Sequence, residues 1–157
     1  MKVTLLYTGK TDDAYILEGY ERYESRLKHY LPVQTLIIPA LKNTQKMSME
    51  EQKDKEGELI LSKISAGDYL ILLDENGKQY TSVEFSRYIQ LHMNSGVKNL
   101  IFVTGGPYGF SAGVYQRANA KISLSRMTFS HQMVRLFFIE QLYRAMTILK
   151  GEPYHHQ

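Results

Sequence analysis

Short apolar runs alternate with helix-patterned stretches along the whole chain, and this alternation restricts the fold more than any other feature of the sequence. The runs are Val3 to Tyr7, Val33 to Ile38, Tyr69 to Leu73, Leu100 to Thr104 and Ala120 to Leu124. Each is short and stops at a glycine, a proline or a polar stretch, as strands do. The gaps between them hold helical patterns rather than tight turns, and crossover helices join parallel strands. The expected fold is α/β: one domain over residues 1–157, with a mostly parallel sheet and helices on both faces.

The helical stretches carry their own start and stop signals. From Asp13 to His29, residues Ile16, Tyr20, Tyr23, Leu27 and Tyr30 step by four and three and share a face. Asp12 or Asp13 can cap that helix, and Pro32 stops it. Ser48 and Glu51 form a capping box for a helix reaching Ile64 and ending before Gly67. Thr81 and Glu84 repeat the device for a helix reaching Met93. Ser111 to Arg117 reads as a short helix, Ala40 to Met47 as a surface loop, and Asp74 to Lys78 as a turn signalled by Asn76-Gly77. Ser130 caps a long helix from His131 to Leu149 that is apolar nearly all round. Such a helix is buried on more than one side, by central packing or at a subunit interface. Glu140 and Arg144 on it are spaced for an i,i+4 ion pair.

Composition removes several function classes. The chain has no cysteine, which excludes disulfides, thiolate nucleophiles and most structural zinc sites. No apolar stretch is long enough for a signal peptide or membrane span, so a cytoplasmic protein is expected. The net charge of +3 mildly favours a polyanionic partner and equally fits an ordinary soluble protein.

In an open α/β sheet, ligands bind beyond the carboxyl ends of the strands. Three segments end strands there with unusual residues: Leu73 to Lys78, Thr104 to Gly109, and Leu124 to His131. The paired Gly105 and Gly106 let backbone approach a ligand closely, or simply make a turn. The loop lacks the Gly-Lys-Ser/Thr of a Walker motif and the Gly-x-Gly-x-x-Gly of a dinucleotide fold. A nucleoside-like ligand held by backbone groups fits better than a cradled phosphate. Met127 and Phe129 either bracket a flat ring or plug the core. His131, at a helix start, either accepts a proton or only hydrogen-bonds. The tail Gly151 to Gln157 either frays or folds over a site and supplies Tyr154 and His155. A metal site is not expected, because no acidic cluster accompanies the histidines.

Taken together, Leu73-Asp74, Gly105-Gly106-Pro107-Tyr108-Gly109, the run Leu124 to His131, Tyr143-Arg144-Ala145, Pro153-Tyr154-His155 and Asp54-Lys55-Glu56-Gly57 resemble the RlmH family. These are ribosomal RNA large-subunit (pseudouridine-N3) methyltransferases of the SPOUT superfamily, and the similarity runs in order through the whole chain. The resemblance implies a SPOUT α/β knot with a C-terminal trefoil knot, and a homodimer. It implies S-adenosylmethionine as methyl donor, with no metal. It implies methylation of nitrogen 3 of a pseudouridine in the large-subunit ribosomal RNA of the assembled ribosome. Cofactor contacts carry over to Leu73, Gly105, Leu124, Ser125, Arg126, Met127, Thr128 and Phe129. His131 or His155 is expected to assist proton loss from the base, and Arg144 to position phosphate or the anionic base. Ser130 stands where many relatives have proline, and His156 where Lys or Arg is common. Two other readings share the scaffold: a non-catalytic RNA- or nucleotide-binding module, and an enzyme acting on transfer RNA.

Overall fold

The computed structural model describes residues 1–156. Its strands are β1 (Lys2–Thr8), β2 (Val33–Ile38), β3 (Tyr69–Gln79), β4 (Asn99–Thr104) and β5 (Ala120–Ser123). Its helices are α1 (Ala14–Leu27), α2 (Met49–Leu61), α3 (Ser82–Asn94), α4 (Ala112–Arg117) and α5 (His131–Leu149). All pairings are parallel, and the strands lie in the order β2-β1-β4-β3-β5. The carboxyl ends of all the strands therefore share one edge.

Strand residues alternate between the two faces, and both faces are covered. Leu5, Tyr7, Ile71 and Phe102 pack on one side with Tyr20 of α1, Phe85 of α3 and Phe138 of α5. Leu6, Leu70, Leu72, Ile101 and Val103 pack on the other with Ile60 of α2 and Val114 of α4. The α5 helix lies between α1 and α3 across the first face, which explains its apolar circumference. Phe138 is fully buried, with its ring centroid 4.7 Å from that of Phe102.

Most helix boundaries follow the sequence signals. Thr81 and Glu84 make both bonds of the capping box. Ser48 accepts from the Glu51 amide at 3.0 Å, but Glu51 pairs with Lys55 at 3.4 Å instead of reaching back. Asp13 holds the cap position of α1 without a side-chain bond, and α1 ends at Leu27 rather than His29. The Ala40 to Met47 loop contains a single 3-10 turn at Thr44–Lys46.

The expected turn at Asp74 to Lys78 is absent. β3 continues through it to Gln79, and Ile122 of β5 pairs with both Leu73 and Lys78. Gly77 explains the difference. A Cβ there would lie 2.5 Å from the Ile122 carbonyl carbon, so the backbones touch where no side chain fits. The glycine marks a close approach of two chain segments, not a reversal of one.

Candidate cofactor cavity

A cavity of about 550 Å³ lies at the carboxyl ends of β3, β4 and β5. Its size is that of a small-molecule site. β3 brings Leu73 and Asp74, and β4 leads into the Gly105 to Gly109 loop. β5 leads into the Leu124 to Phe129 segment, and His131 and Val134 enter from the first turn of α5. Open α/β sheets bind ligands at this edge, and here strand-end loops make most of the wall, with the first turn of α5 and Tyr115 of α4 beside them.

Local bonds fix each wall. The Gly109 amide donates to the Gly106 carbonyl at 3.1 Å, with Gly109 at φ +81°. A Cβ on Gly105 would come within 3.4 Å of Gly109 and the Phe110 ring. A Cβ on Gly106 would lie 2.1 Å from Oε2 of Glu56, a residue of α2 that is only 7% exposed. Both glycines therefore let backbone, rather than side chains, form the wall. On the opposite wall, Ser123 Oγ donates to the Ser125 carbonyl at 2.9 Å, and Ser125 Oγ accepts from the Met127 amide at 2.9 Å. Ser130 Oγ accepts from the Met133 amide at 3.2 Å and so caps α5.

The polar groups around the cavity are tuned by burial and by one another. Tyr115 of α4 donates to Asp74, and burial together with that carboxylate pushes its hydroxyl up to about 12. Burial also raises the Glu56 carboxyl, against a weak opposing bond from Gln52 at 3.4 Å. Behind the cavity, Arg135 is buried and donates to the Thr8 and Gly9 carbonyls at 2.7 and 3.0 Å, which ties α5 to the loop after β1.

The structure gathers Leu73, Gly105, Leu124, Ser125, Met127, Thr128, Phe129 and His131 around this cavity. Arg126 lies in the same segment but does not line it. Met127 is 78% exposed, so it does not plug the core. Phe129 lines the cavity and also stacks on Phe137 of α5 at 4.9 Å. Arg144 and His155 are elsewhere. Some 13 residues separate Arg144 from His131 on α5, about 20 Å at ~1.5 Å rise per residue. There Arg144 donates to Glu140 at 2.7 Å and meets Nδ1 of His155 at 3.2 Å. Tyr154 donates to Glu140 at 2.9 Å and contacts the Tyr23 hydroxyl at 3.3 Å. The tail is thus folded against α5 and α1, away from the cavity of its own chain.

Sequence reasoning gave no role to Glu56, and it passed over Tyr115 and Met49, which line or back the cavity. A signal for Tyr115 existed: its helix opens immediately beyond the glycine loop. Among the described residues, no group of three or more His, Cys, Asp or Glu is placed to hold a metal ion. No helix there is long and apolar enough to cross a membrane.

A parallel α/β sheet with a backbone-walled cavity at three strand ends has the form of a small-molecule site at the ligand-binding edge of such sheets. Residues 1–155 match the family described as predicted SPOUT methyltransferase, and the chain belongs to that family. It is 57% identical to the ribosomal RNA large subunit methyltransferase H of Parabacteroides distasonis, over 100% of both chains. It is 59% identical to the protein of the same name from Flavobacterium johnsoniae, again over 100% of both. The protein of that name from Bacteroides thetaiotaomicron is 54% identical over the same full extent.

Proposed function

We propose that this chain transfers a methyl group from S-adenosylmethionine to nitrogen 3 of a pseudouridine in large-subunit ribosomal RNA, acting on the assembled ribosome. The observation that carries this reading is full-length identity above one half with relatives named ribosomal RNA large subunit methyltransferase H. The cavity supports the cofactor. Its glycine wall leaves backbone exposed, as a nucleoside needs, and Gly106 lets that wall lie directly against Glu56 behind it.

Leu73, Gly105 and the run Leu124, Ser125, Arg126, Met127, Thr128 and Phe129 would hold the cofactor, Arg126 through its main chain. When bound, S-adenosylmethionine supplies an electrophilic methyl group on a sulfonium. The chain's residues must align the target nitrogen with it and remove that nitrogen's proton. His131, on the cavity wall, is one acceptor for the proton. Arg144 and His155 are the second set, suited to holding a phosphate or the anionic base. They sit at the far end of α5, so they serve a cavity only if a second copy presents them. A homodimer built on α5 does this, and the helix leaves Phe137 41% exposed for such a contact. The double pairing of Ile122 with Leu73 and Lys78, and the backbone contact at Gly77, support a knotted crossing of these segments.

Labelled methyl incorporation should be compared on three RNAs: ribosomes from a strain lacking the protein, the free ribosomal stem-loop, and transfer RNA. The expected result is label on ribosomes alone. Equal label on the free stem-loop would refute the requirement for assembly, and label on transfer RNA would move the enzyme to another substrate.

A further inference from the structure

The cavity and the whole chain differ in charge. The chain carries 19 Lys and Arg against 16 Asp and Glu. None of those cations lines the cavity, whereas Asp74 and Glu75 do. A third carboxylate stands directly behind the wall. Glu56 is 7% exposed, its Oε2 lies against Gly106, and that oxygen receives no hydrogen bond among the described residues. Its other oxygen has only the long contact from Gln52. The adjacent Gly57 packs against Ser111, where a Cβ would fall 2.2 Å from Oγ, so α2 is held firmly under the loop. A mostly buried carboxylate with so few partners is costly to charge, and a cation brought near it offsets that cost, as His131 on the cavity wall already does in part. Burial raises the Glu56 carboxyl, which agrees with a site that gains when a cation arrives.

We propose that Glu56, with Asp74 and Glu75, makes this cavity selective for charge, so that it retains a sulfonium-bearing methyl donor and releases the neutral thioether product. The inference rests on the cofactor reading above. The donor and product differ by one methyl group and one positive charge, and shape alone discriminates weakly between them. A fixed negative field acts only on the charged one. It acts through the thin backbone wall at Gly106, where little solvent screens it. Glu75, exposed at the rim, contributes less because water screens it. Glu56 is therefore a specificity-determining residue that need not touch the ligand.

The test is calorimetric binding of S-adenosylmethionine and S-adenosylhomocysteine to the intact protein and to Glu56→Gln, which keeps the shape and removes the charge. Donor affinity is expected to fall about tenfold while product affinity changes less than about twofold. An equal loss for both ligands would reduce Glu56 to a prop for the loop and overturn the proposal, as would no change for either. Should Glu56→Gln fail to fold, Glu75→Gln decides. Its side chain makes no hydrogen bond or ion pair among the described residues. A donor-selective loss of about threefold is expected there, and an unselective or absent effect refutes the idea. If the unaltered protein binds neither ligand, the cofactor reading itself has failed and this inference falls with it. If it binds the donor and the variants show no selectivity, only this inference fails.

Discussion

The two ends of α5 are built for different work. At its amino end, His131 and Val134 face a cavity walled by backbone, with Asp74 and Glu75 on one side. At its carboxyl end, Arg144 is locked among Glu140, Tyr154 and His155, with its guanidinium 4.7 Å from the Tyr154 ring. The first end is open and made of loops. The second is a network of side chains that holds a cation and a tail in place. The difference teaches that one helix joins a backbone-walled cavity at one end to a side-chain network about 20 Å away at the other. Under the proposed function the two become one centre when the second end of another copy meets the first.

The strongest way to break this comparison is to disable each end separately. His131→Ala and Arg144→Ala should each lower the single-turnover methylation rate by about 100-fold or more, with cofactor affinity retained. Mixing the two inactive variants under exchange conditions should restore activity, because a mixed pair has one intact centre. No recovery on mixing, with dimers present, would mean that the ends do not cooperate across copies.

Gly106→Ala sharpens the contrast from the cavity side. Its Cβ would meet Glu56 Oε2 at 2.1 Å, so the mostly buried Glu56 side chain or the wall must shift. Cofactor affinity should fall by about tenfold or more, roughly 1.4 kcal/mol, while the Arg144 network is untouched. Titration of the cofactor checks this, and unchanged affinity would show that the loop does not form the wall.

Tyr154→Phe is the counterpart at the other end. It removes the hydroxyl bonded to Glu140 and Tyr23. Stability should fall by about 1 kcal/mol in denaturant unfolding, with cofactor affinity unchanged. A loss of affinity instead would link the two ends within one chain.

The smallest expected effect separates both ends from the rest of the core. His92 of α3 is buried against Tyr69 and Tyr88, with ring centroids at 4.4 and 4.5 Å, and burial lowers its pKa from the ordinary 6.5. The folded state thus prefers the neutral imidazole. Its contribution is fully present above that ordinary value and is lost as the pH falls through the lower folded value. Thermal midpoints should drop by about 2 °C more in the unaltered protein than in His92→Phe on acidification. Equal drops would place the acid sensitivity elsewhere.

These comparisons also separate what the sequence makes legible from what it does not. The strand-helix alternation, the caps at Thr81 and Ser130, and the loops at the strand ends are local signals, and the structure follows them. The loops also identify the cavity, because a parallel sheet sends every carboxyl end to one edge. Asn76-Gly77 misleads for a long-range reason: the glycine is required by Ile122, some 45 residues away. Glu56 is invisible for the same kind of reason. A glutamate inside a charged helix looks solvated, and only its packing against Gly106 shows otherwise. The place of Arg144 depends on helix length, which the sequence does give. What would join it to a cavity under the proposed function is a second copy, which no local pattern encodes.

The most direct measurement is transfer of labelled methyl from S-adenosylmethionine to ribosomes from a strain lacking this protein, with the labelled nucleotide mapped. The account predicts label at a single pseudouridine of the large-subunit RNA, on nitrogen 3. Label on another nucleotide or another ring position, or no label although the cofactor binds, would contradict it.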